Sequence, residues 1–267
     1  MASESVLHPG LIVPVGHVEP VPRRVRGTIG GHVAFDTRRA LYVWERPAYP
    51  QFSIPVEDLV DGVLTDDGRT ERLGAGPARR HTLRVGSDVR EGAAWVWDDT
   101  APAPLPGTVR FEWEALDSWF EEDEPVFVHP RSPYSRVDAL RSTSSVRVEL
   151  DGVPLADATH CVKLFETGLP TRYYLDRTSV DRARLRWSDT VTRCPYKGTT
   201  SGYWSFDSGV ALHEDIAWAY DFPTIQVNRI AGLVAFYNER VDLYVDGALL
   251  PRSSGRAGRG GAPASAA

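Results

Sequence analysis

The sequence predicts a mainly β protein made of two copies of one half. Three observations carry that reading. Apolar residues alternate with polar ones in short runs, helical periodicity is thin, and the chain matches itself when displaced by 121 residues. The displacement sets "VRGTIGGHVAFDTRRALYVWERPAYPQFSIPVEDL", from Val25, against "VRVELDGVPLADATHCVKLFETGLPTRYYLDRTSV", from Val146, without a gap. Identical residues are few: Val25/Val146, Arg26/Arg147, Gly31/Gly152, Asp36/Asp157 and Glu45/Glu166. The match lies in residue class, with Ile29/Leu150, Leu41/Val162, Val43/Leu164, Trp44/Phe165, Phe52/Tyr173 and Ile54/Leu175 keeping the same apolar positions.

The elements follow in order. "VRVEL" (146 to 150), the Asp151-Gly152 pair and "VPLA" predict strand, tight hairpin and strand, because Asp-Gly supplies the positive φ that such a turn requires. "CVKLFE" (161 to 166), "RYYL" (172 to 175), "LVAFY" (233 to 237) and "VDLYV" (241 to 245) predict further short strands, punctuated by Pro and Gly. Only 56 to 60 and 114 to 120 carry enough helical pattern for a turn or two. The later parts also match: "AAWVWDD" (93 to 99) with "IAWAYDF" (216 to 222), and "GTVRFEW" (107 to 113) with "GLVAFYN" (232 to 238). Where the second copy has "RCPYKG" (193 to 198), the sequence alone sets "RHTLRVG" (80 to 86), which lacks both its thiol and its lysine. The predicted organisation is an N-terminal arm (1–20), a first domain (21–121), a linker (122–142), a second domain (143–250) and a disordered tail (251–267), too small and polar to pack.

Composition narrows the function classes. A hydrophobic content of 42% with eight Trp describes a globular protein, and a net charge of −6 argues against a surface made for nucleic acid or anionic membrane. No apolar run approaches the roughly 18 residues of a membrane span, and Leu11 to Val15 is too short for a signal-peptide core, so a cytoplasmic protein is expected. Cys161 and Cys194 are the only cysteines; they make no CxxC pair for zinc, and two free thiols are expected. No cofactor motif is present: there is no GxxxxGK[ST] loop, and "VGSD" (85 to 88) with Asp98 and Asp99 lacks the D-x-D spacing that puts two carboxylates on one strand face. The expected partner is a small molecule rather than nucleic acid or membrane. Oligomeric state stays open.

Six separated segments, "GGHVAFDTRRALYVWE", "VFVHPRSPYSRVDALRS", "LFETGLPTRYYLDRTSV", "TRCPYKGTTSGYW", "IAWAYDFP" and "IAGLVAFYNERVDLYVDG", resemble in order the bacterial domain-of-unknown-function 427 (DUF427) family in its tandem form, over roughly residues 20 to 250. The resemblance implies the β-tent fold of the Mss4-like zinc proteins and of the ligand-binding domain of cereblon. It also brings a nucleotidyltransferase-like label. The residues depart from the zinc-binding relatives by lacking paired CxxC motifs and offer the nucleotidyltransferase label no support.

Candidate chemistry gathers in the second copy. Cys194 and Lys197 fall three residues apart in a chain where twenty-eight of thirty basic residues are Arg. A thiol beside an ammonium in a Pro- and Gly-containing turn fits a nucleophile of lowered pKa; the alternative is a small buried hydrophobe. A lysine in an arginine-rich chain points to a compact or deprotonatable ammonium, against a solvated turn residue. Glu166 and Arg172 bracket a tight turn and fit either a structural pair or two poles of a ligand site. Glu45 repeats the carboxylate in the first copy, while Gln51 replaces the arginine. Tyr173, Tyr196, Trp204, Trp218 and Tyr220 fit a cage or a core, and the resemblance to a fold with an aromatic imide cage selects Trp218 and Tyr220. His129, Arg131 and Arg136 in the linker are expected to roof the second-half site or to staple the domains. The enzymatic reading is acyl transfer or hydrolysis of a small anionic or carbonyl-bearing metabolite, with Cys194 as nucleophile, Lys197 holding charge and Glu166 or His129 moving a proton. The alternative is a non-catalytic binding or sensor module; nucleotide handling is the third.

Overall fold

The computed structural model describes residues 10–252. The chain divides into two compact units, Leu11–Tyr134 and one that begins at Ser135. The strands predicted from alternation are present in both, and each half contains a larger and a smaller antiparallel sheet, to which the second half adds a two-stranded ribbon.

In the first half the larger sheet runs Val18–Pro20, Leu41–Arg46, Tyr49–Pro55, Thr108–Phe111, Asp88–Trp97, Gly76–Val85, Gly62–Leu73; the smaller runs Glu124–Val126, Ser118–Glu121, Val25–Ile29, His32–Thr37. The second half repeats that order strand for strand. Its larger sheet is Val137–Ser142, Cys161–Glu166, Arg172–Leu175, Val234–Phe236, Leu212–Ala219, Gly202–Asp207, Leu185–Ser188, and its smaller one is Ala248–Leu249, Asp242–Val245, Val146–Leu150, Val153–Ala158. Asp151 and Gly152 take φ of 52° and 74° at the predicted hairpin, and Gly30 and Gly31 take 57° and 80° at its counterpart.

Period two explains how each larger sheet is buried on both faces. In the second half one face carries Tyr173, Leu175, Trp204 and Phe206 against Val146, Val148, Leu150 and Leu243 of the smaller sheet. The opposite face carries Leu164, Tyr174, Tyr203, Trp218 and Tyr220, capped by Val227 and Ile230. Those two caps come from a 3-10 segment, Ile225–Ile230, which carries no helical pattern in the sequence.

The 56 to 60 segment makes one turn of 3-10 helix, Val56–Asp58. The 114 to 120 segment is mostly strand: one turn at Trp113–Ala115 gives way to Ser118–Glu121, where Trp119 pairs with Gly27 and is buried. The stretch read as a linker, 122–142, supplies Glu124–Val126 to the first half and Val137–Ser142 to the second, so Glu124, Asp138 and Arg141 belong to sheet edges while His129, Arg131 and Arg136 lie between the two strands. Within the stretch read as an arm, Val18–Pro20 pairs with Leu41–Val43. Residues 1–9 of that arm, and all of the expected disordered tail beyond Arg252, lie outside the described residues. No helix among the described residues is long and apolar enough to cross a membrane.

Candidate functional site

The outer face of the second half's larger sheet brings most of the predicted site residues together. Glu166, Arg172, Tyr174, Trp218 and Tyr220 share that face because each is an even number of residues from a face-lining neighbour on its own strand. The RCPYKG stretch folds over it as a small ribbon: Arg193 pairs with Thr199 and Cys194 with Gly198, leaving Pro195, Tyr196 and Lys197 as the turn. Thr224 Oγ1 donates to the Tyr196 carbonyl and Thr224 N to the Lys197 carbonyl, which pins the ribbon from outside.

Lys197 Nζ donates to Glu166, and the two side chains are 13% and 11% exposed. Burial alone pulls the ammonium down, but the ionised forms of Cys194, Glu166 and Tyr174 outweigh it and hold the Lys197 pKa above the ordinary lysine value. Of the two roles read from the sequence, the geometry therefore fits the compact, fixed ammonium. The Tyr174 phenol, wholly buried, is pushed up to about 12, chiefly by burial, and it accepts a hydrogen bond from Trp218 Nε1 at 3.2 Å. Burial likewise raises the Tyr220 phenol. Cys194 is half-buried and free, as is the more deeply buried Cys161, whose thiol burial pushes up.

Arg172 is bidentate to Glu239, at 2.7 and 2.8 Å, and also reaches Asn238 Oδ1 at 3.3 Å. Its guanidinium lies 5.8 Å from the Trp218 ring centroid and 5.5 Å from that of Tyr237. This fork closes one end of a hollow of about 240 Å³ walled by Tyr203, Tyr237, Thr190, Thr192 and Asp215. Thr192 Oγ1 and Tyr203 OH are 2.9 Å apart, and Tyr203 OH and Tyr237 OH 3.4 Å. Asp215 accepts from Thr190 Oγ1 at 2.7 Å through one oxygen, while the other is shut off from solvent without a hydrogen-bond partner. Its backbone is in the left-handed region, φ 49°, which few non-glycine residues occupy.

Asp215, Tyr203 and Tyr237 were not among the residues the sequence singled out. A signal for Asp215 was present: aligning "AAWV" with "IAWA" sets Gly92 against Asp215. The structure makes that correspondence exact in register. The ladder slips between His81 and Leu83 in the first half and between Trp204 and Phe206 in the second, and Arg80 faces Trp95 as Tyr203 faces Trp218. Gly92, φ 56°, sits at the first-half bulge, with the Arg80 guanidinium packed where its Cβ would be, 2.0 Å from the nearest nitrogen.

This register also corrects the pairing of 193–198 with 80–86. Residues 80 to 86 correspond to the strand that begins at Gly202, and the counterpart of the ribbon is the tip where Leu73 pairs with Gly76. The two tips differ in length, three residues between Cys194 and Gly198 against two between Leu73 and Gly76, so an ungapped match cannot bring them together. The tip approaches Glu45 as the ribbon approaches Glu166: a Cβ on Gly74 would fall 2.4 Å from the Glu45 carbonyl oxygen. Glu45 is served from elsewhere, by Arg110 Nε at 3.3 Å, and burial, only partly offset by Arg110, raises its pKa.

The remaining predicted residues are dispersed. Tyr173 is buried on the opposite face, in the core between the sheets, with Lys163 Nζ 5.7 Å from its ring centroid, so it lines no cage beside Trp218. Trp218 and Tyr220 are themselves 5% and 4% exposed and pack as core. His129 belongs to the first unit, where its ring stacks on Tyr49 at 3.7 Å; Arg131 is in the same unit. Arg136 is exposed and pairs with Asp138 at 2.7 Å. Asp98 caps a turn by accepting from Thr100 N at 2.9 Å. Among the described residues no group of three or more His, Cys, Asp or Glu side chains is placed to hold a metal ion.

A family model described as a domain of unknown function (DUF427) matches the chain twice, over residues 17–122 and 138–247. The chain belongs to the DUF427 family. Among curated proteins none matches it. Both DUF427 copies keep the bulge, the strand-end glutamate and the facing tryptophan, Trp95 or Trp218. Only the second DUF427 copy has a lysine over the glutamate and a carboxylate in the bulge.

Proposed function

We propose that this protein binds a small polar molecule in the hollow beside Asp215, as a binding module of its second half. The observation that carries the reading is the conformation of Asp215. The first half runs the same bulge with glycine, so the fold does not need a side chain there, and the left-handed region costs a non-glycine residue roughly 1 kcal/mol. A residue that keeps such a cost and lines a cavity is a candidate for contact with a ligand. The hollow holds about eight water-sized groups at roughly 30 Å³ each. Its walls offer Tyr and Thr hydroxyls beside the Asp215 side chain, so the ligand carries N–H or O–H groups. Two sheets sharing one core in each half support the β-tent architecture for this scaffold.

The test is a metabolite thermal-shift screen on the wild type and on Asp215→Gly. The variant should stay within about 1 kcal/mol of wild-type stability, since lost strain offsets the lost Thr190 hydrogen bond, and should lose the ligand-induced shift. A screen in which every hit stabilises Asp215→Gly as much as wild type would refute this site. Gly92→Ala, by contrast, should cost about 2 kcal/mol through strain and displacement of Arg80 and leave ligand binding intact.

A second reading, acyl transfer or hydrolysis at Cys194, has one observation in its favour: the thiol lies within electrostatic reach of a protonated Lys197. The corresponding first-half position is Leu73, which favours the apolar role of Cys194 instead.

A further inference from the structure

Arg172 and Lys197, the cations a ligand was expected to meet, are both neutralised within the protein, by Glu239 and Glu166. Among the described residues, positive charge without an ion-pair partner remains at Arg240 on the wall of the Asp215 hollow, where it donates to the Asp215 carbonyl at 3.3 Å, and at two arginines around a larger cavity. A cavity of about 450 Å³ opens beside the edge strand Val137–Ser142, with Arg141, Arg229 and His160 on its walls and Val162 and Leu233 among its apolar lining. That volume falls in the range of small-molecule sites, roughly 300 to 1,000 Å³, which the Asp215 hollow does not reach.

Most arginines of this half are paired: Arg147 with Glu149, Arg177 with Asp221, Arg184 with Asp181, Arg186 with Asp207 and Arg252 with Asp242. Arg141 and Arg229 have no carboxylate within ion-pair distance among the described residues. Arg229 Nη1 donates to the Ala139 carbonyl at 3.1 Å, which fixes that guanidinium at the wall. The acid on the wall, Asp176, is occupied in capping: one oxygen accepts from Thr178 N and Oγ1 at 2.8 and 2.7 Å. Two arginines against one aspartate leave the cavity cationic in a chain of net charge −6.

The first half shows that the fold does not require these cations. Arg141 faces Val162 across the ladder as Pro20 faces Leu41. Leu233 N bonds to the Ile230 carbonyl as Thr108 N bonds to that of Leu105, which puts Pro104 at the place of Arg229. His160 corresponds to Arg39, and Arg39 is closed by Glu57 and Asp58. Prolines and a neutralised arginine thus stand where the second half has two arginines without an ion-pair carboxylate among the described residues and a histidine within electrostatic reach of Asp176.

We propose that this cavity binds a small organic anion, a carboxylate or a phosphate monoester with an apolar body, its charge on Arg141 and Arg229 and its body against Val162 and Leu233. The site is separate from the Asp215 hollow and does not depend on it. The test is calorimetric titration of the full chain with benzoate and phenyl phosphate, with benzyl alcohol as the neutral analogue and inorganic phosphate as the bare anion. At least one aryl anion should bind with a dissociation constant below about 1 mM, at least tenfold tighter than benzyl alcohol or inorganic phosphate. Raising the salt should weaken it. Arg141→Ala, an exposed position, should weaken it about tenfold, and Arg229→Lys should weaken it while keeping charge, because the fork is lost. Asp215→Gly should leave it unchanged. No binding of either aryl anion up to about 10 mM, or equal affinity in Arg141→Ala, would overturn the proposal, and so would a bare phosphate or benzyl alcohol that binds as tightly. Because Asp215→Gly and Arg141→Ala act on different cavities, failure of one reading leaves the other standing.

Discussion

The two halves use one scaffold in opposite ways. In the first, the outer-face charges sit against one another: Arg110 lies against Glu45 and Glu112, with Glu45 Oε1 and Arg110 Nε making no hydrogen bond, and Arg80 covers Gly92 beside Asp67 and Glu71. In the second, Ala235 takes the place of Arg110 and Tyr203 that of Arg80, and the space they leave is rebuilt with Lys197, Asp215 and Arg172 around cavities. Both halves place a cation on the strand-end glutamate, which fits a scaffold role for it. What distinguishes the second half is where its cation comes from and what is left open beside it.

Removing the cation is the strongest way to break the comparison. Lys197→Ala leaves Glu166 nearly buried without its partner and should cost the second half about 3 kcal/mol, read from urea unfolding. Lys197→Met combined with Glu166→Gln should recover most of that loss, because neither charge is then stranded. If Lys197→Ala alone leaves stability unchanged, the pair is a surface decoration and the parallel with Glu45–Arg110 fails.

Alkaline pH should separate the halves by a smaller amount. Tyr174 and Lys197 both have folded pKa values above their ordinary ones. Their contributions are therefore fully present below the unfolded pKa of each, near 10, and are lost as pH rises through the folded values. For Tyr174, with its value of about 12, the slope is about 1.4 kcal/mol per pH unit between roughly 10 and 12. The second-half unfolding transition should fall steeply over that window, and less steeply in Tyr174→Phe. Equal slopes in the two proteins would show that the phenol is not the cause.

The smallest effect is expected at Cys194. Cys194→Ala should change stability by no more than about 1 kcal/mol, and a mild thiol electrophile should modify Cys194 no faster than a model thiol. Rapid labelling that disappears in a Lys197→Met protein would instead favour the nucleophile over the binding module.

Sequence by itself determined the scaffold. Period-two alternation, the Asp-Gly turn and the internal match at 121 residues specified a duplicated antiparallel fold, because each depends on nearest neighbours along the chain. It also read the first half as the degenerate copy and the second as the one with the functional motif, and brought Glu166, Arg172, Lys197 and Trp218 into one set, which the outer face of the sheet assembles. It did not reveal that Arg172 and Lys197 are neutralised, that Tyr173 points into the opposite core, or that Asp215 occupies the bulge of Gly92. Those facts were decided by the tertiary structure alone. Whether a charge is spent or available depends on partners far away in sequence, as Glu239 is from Arg172, and a one-residue slip in a ladder reverses which face a side chain takes.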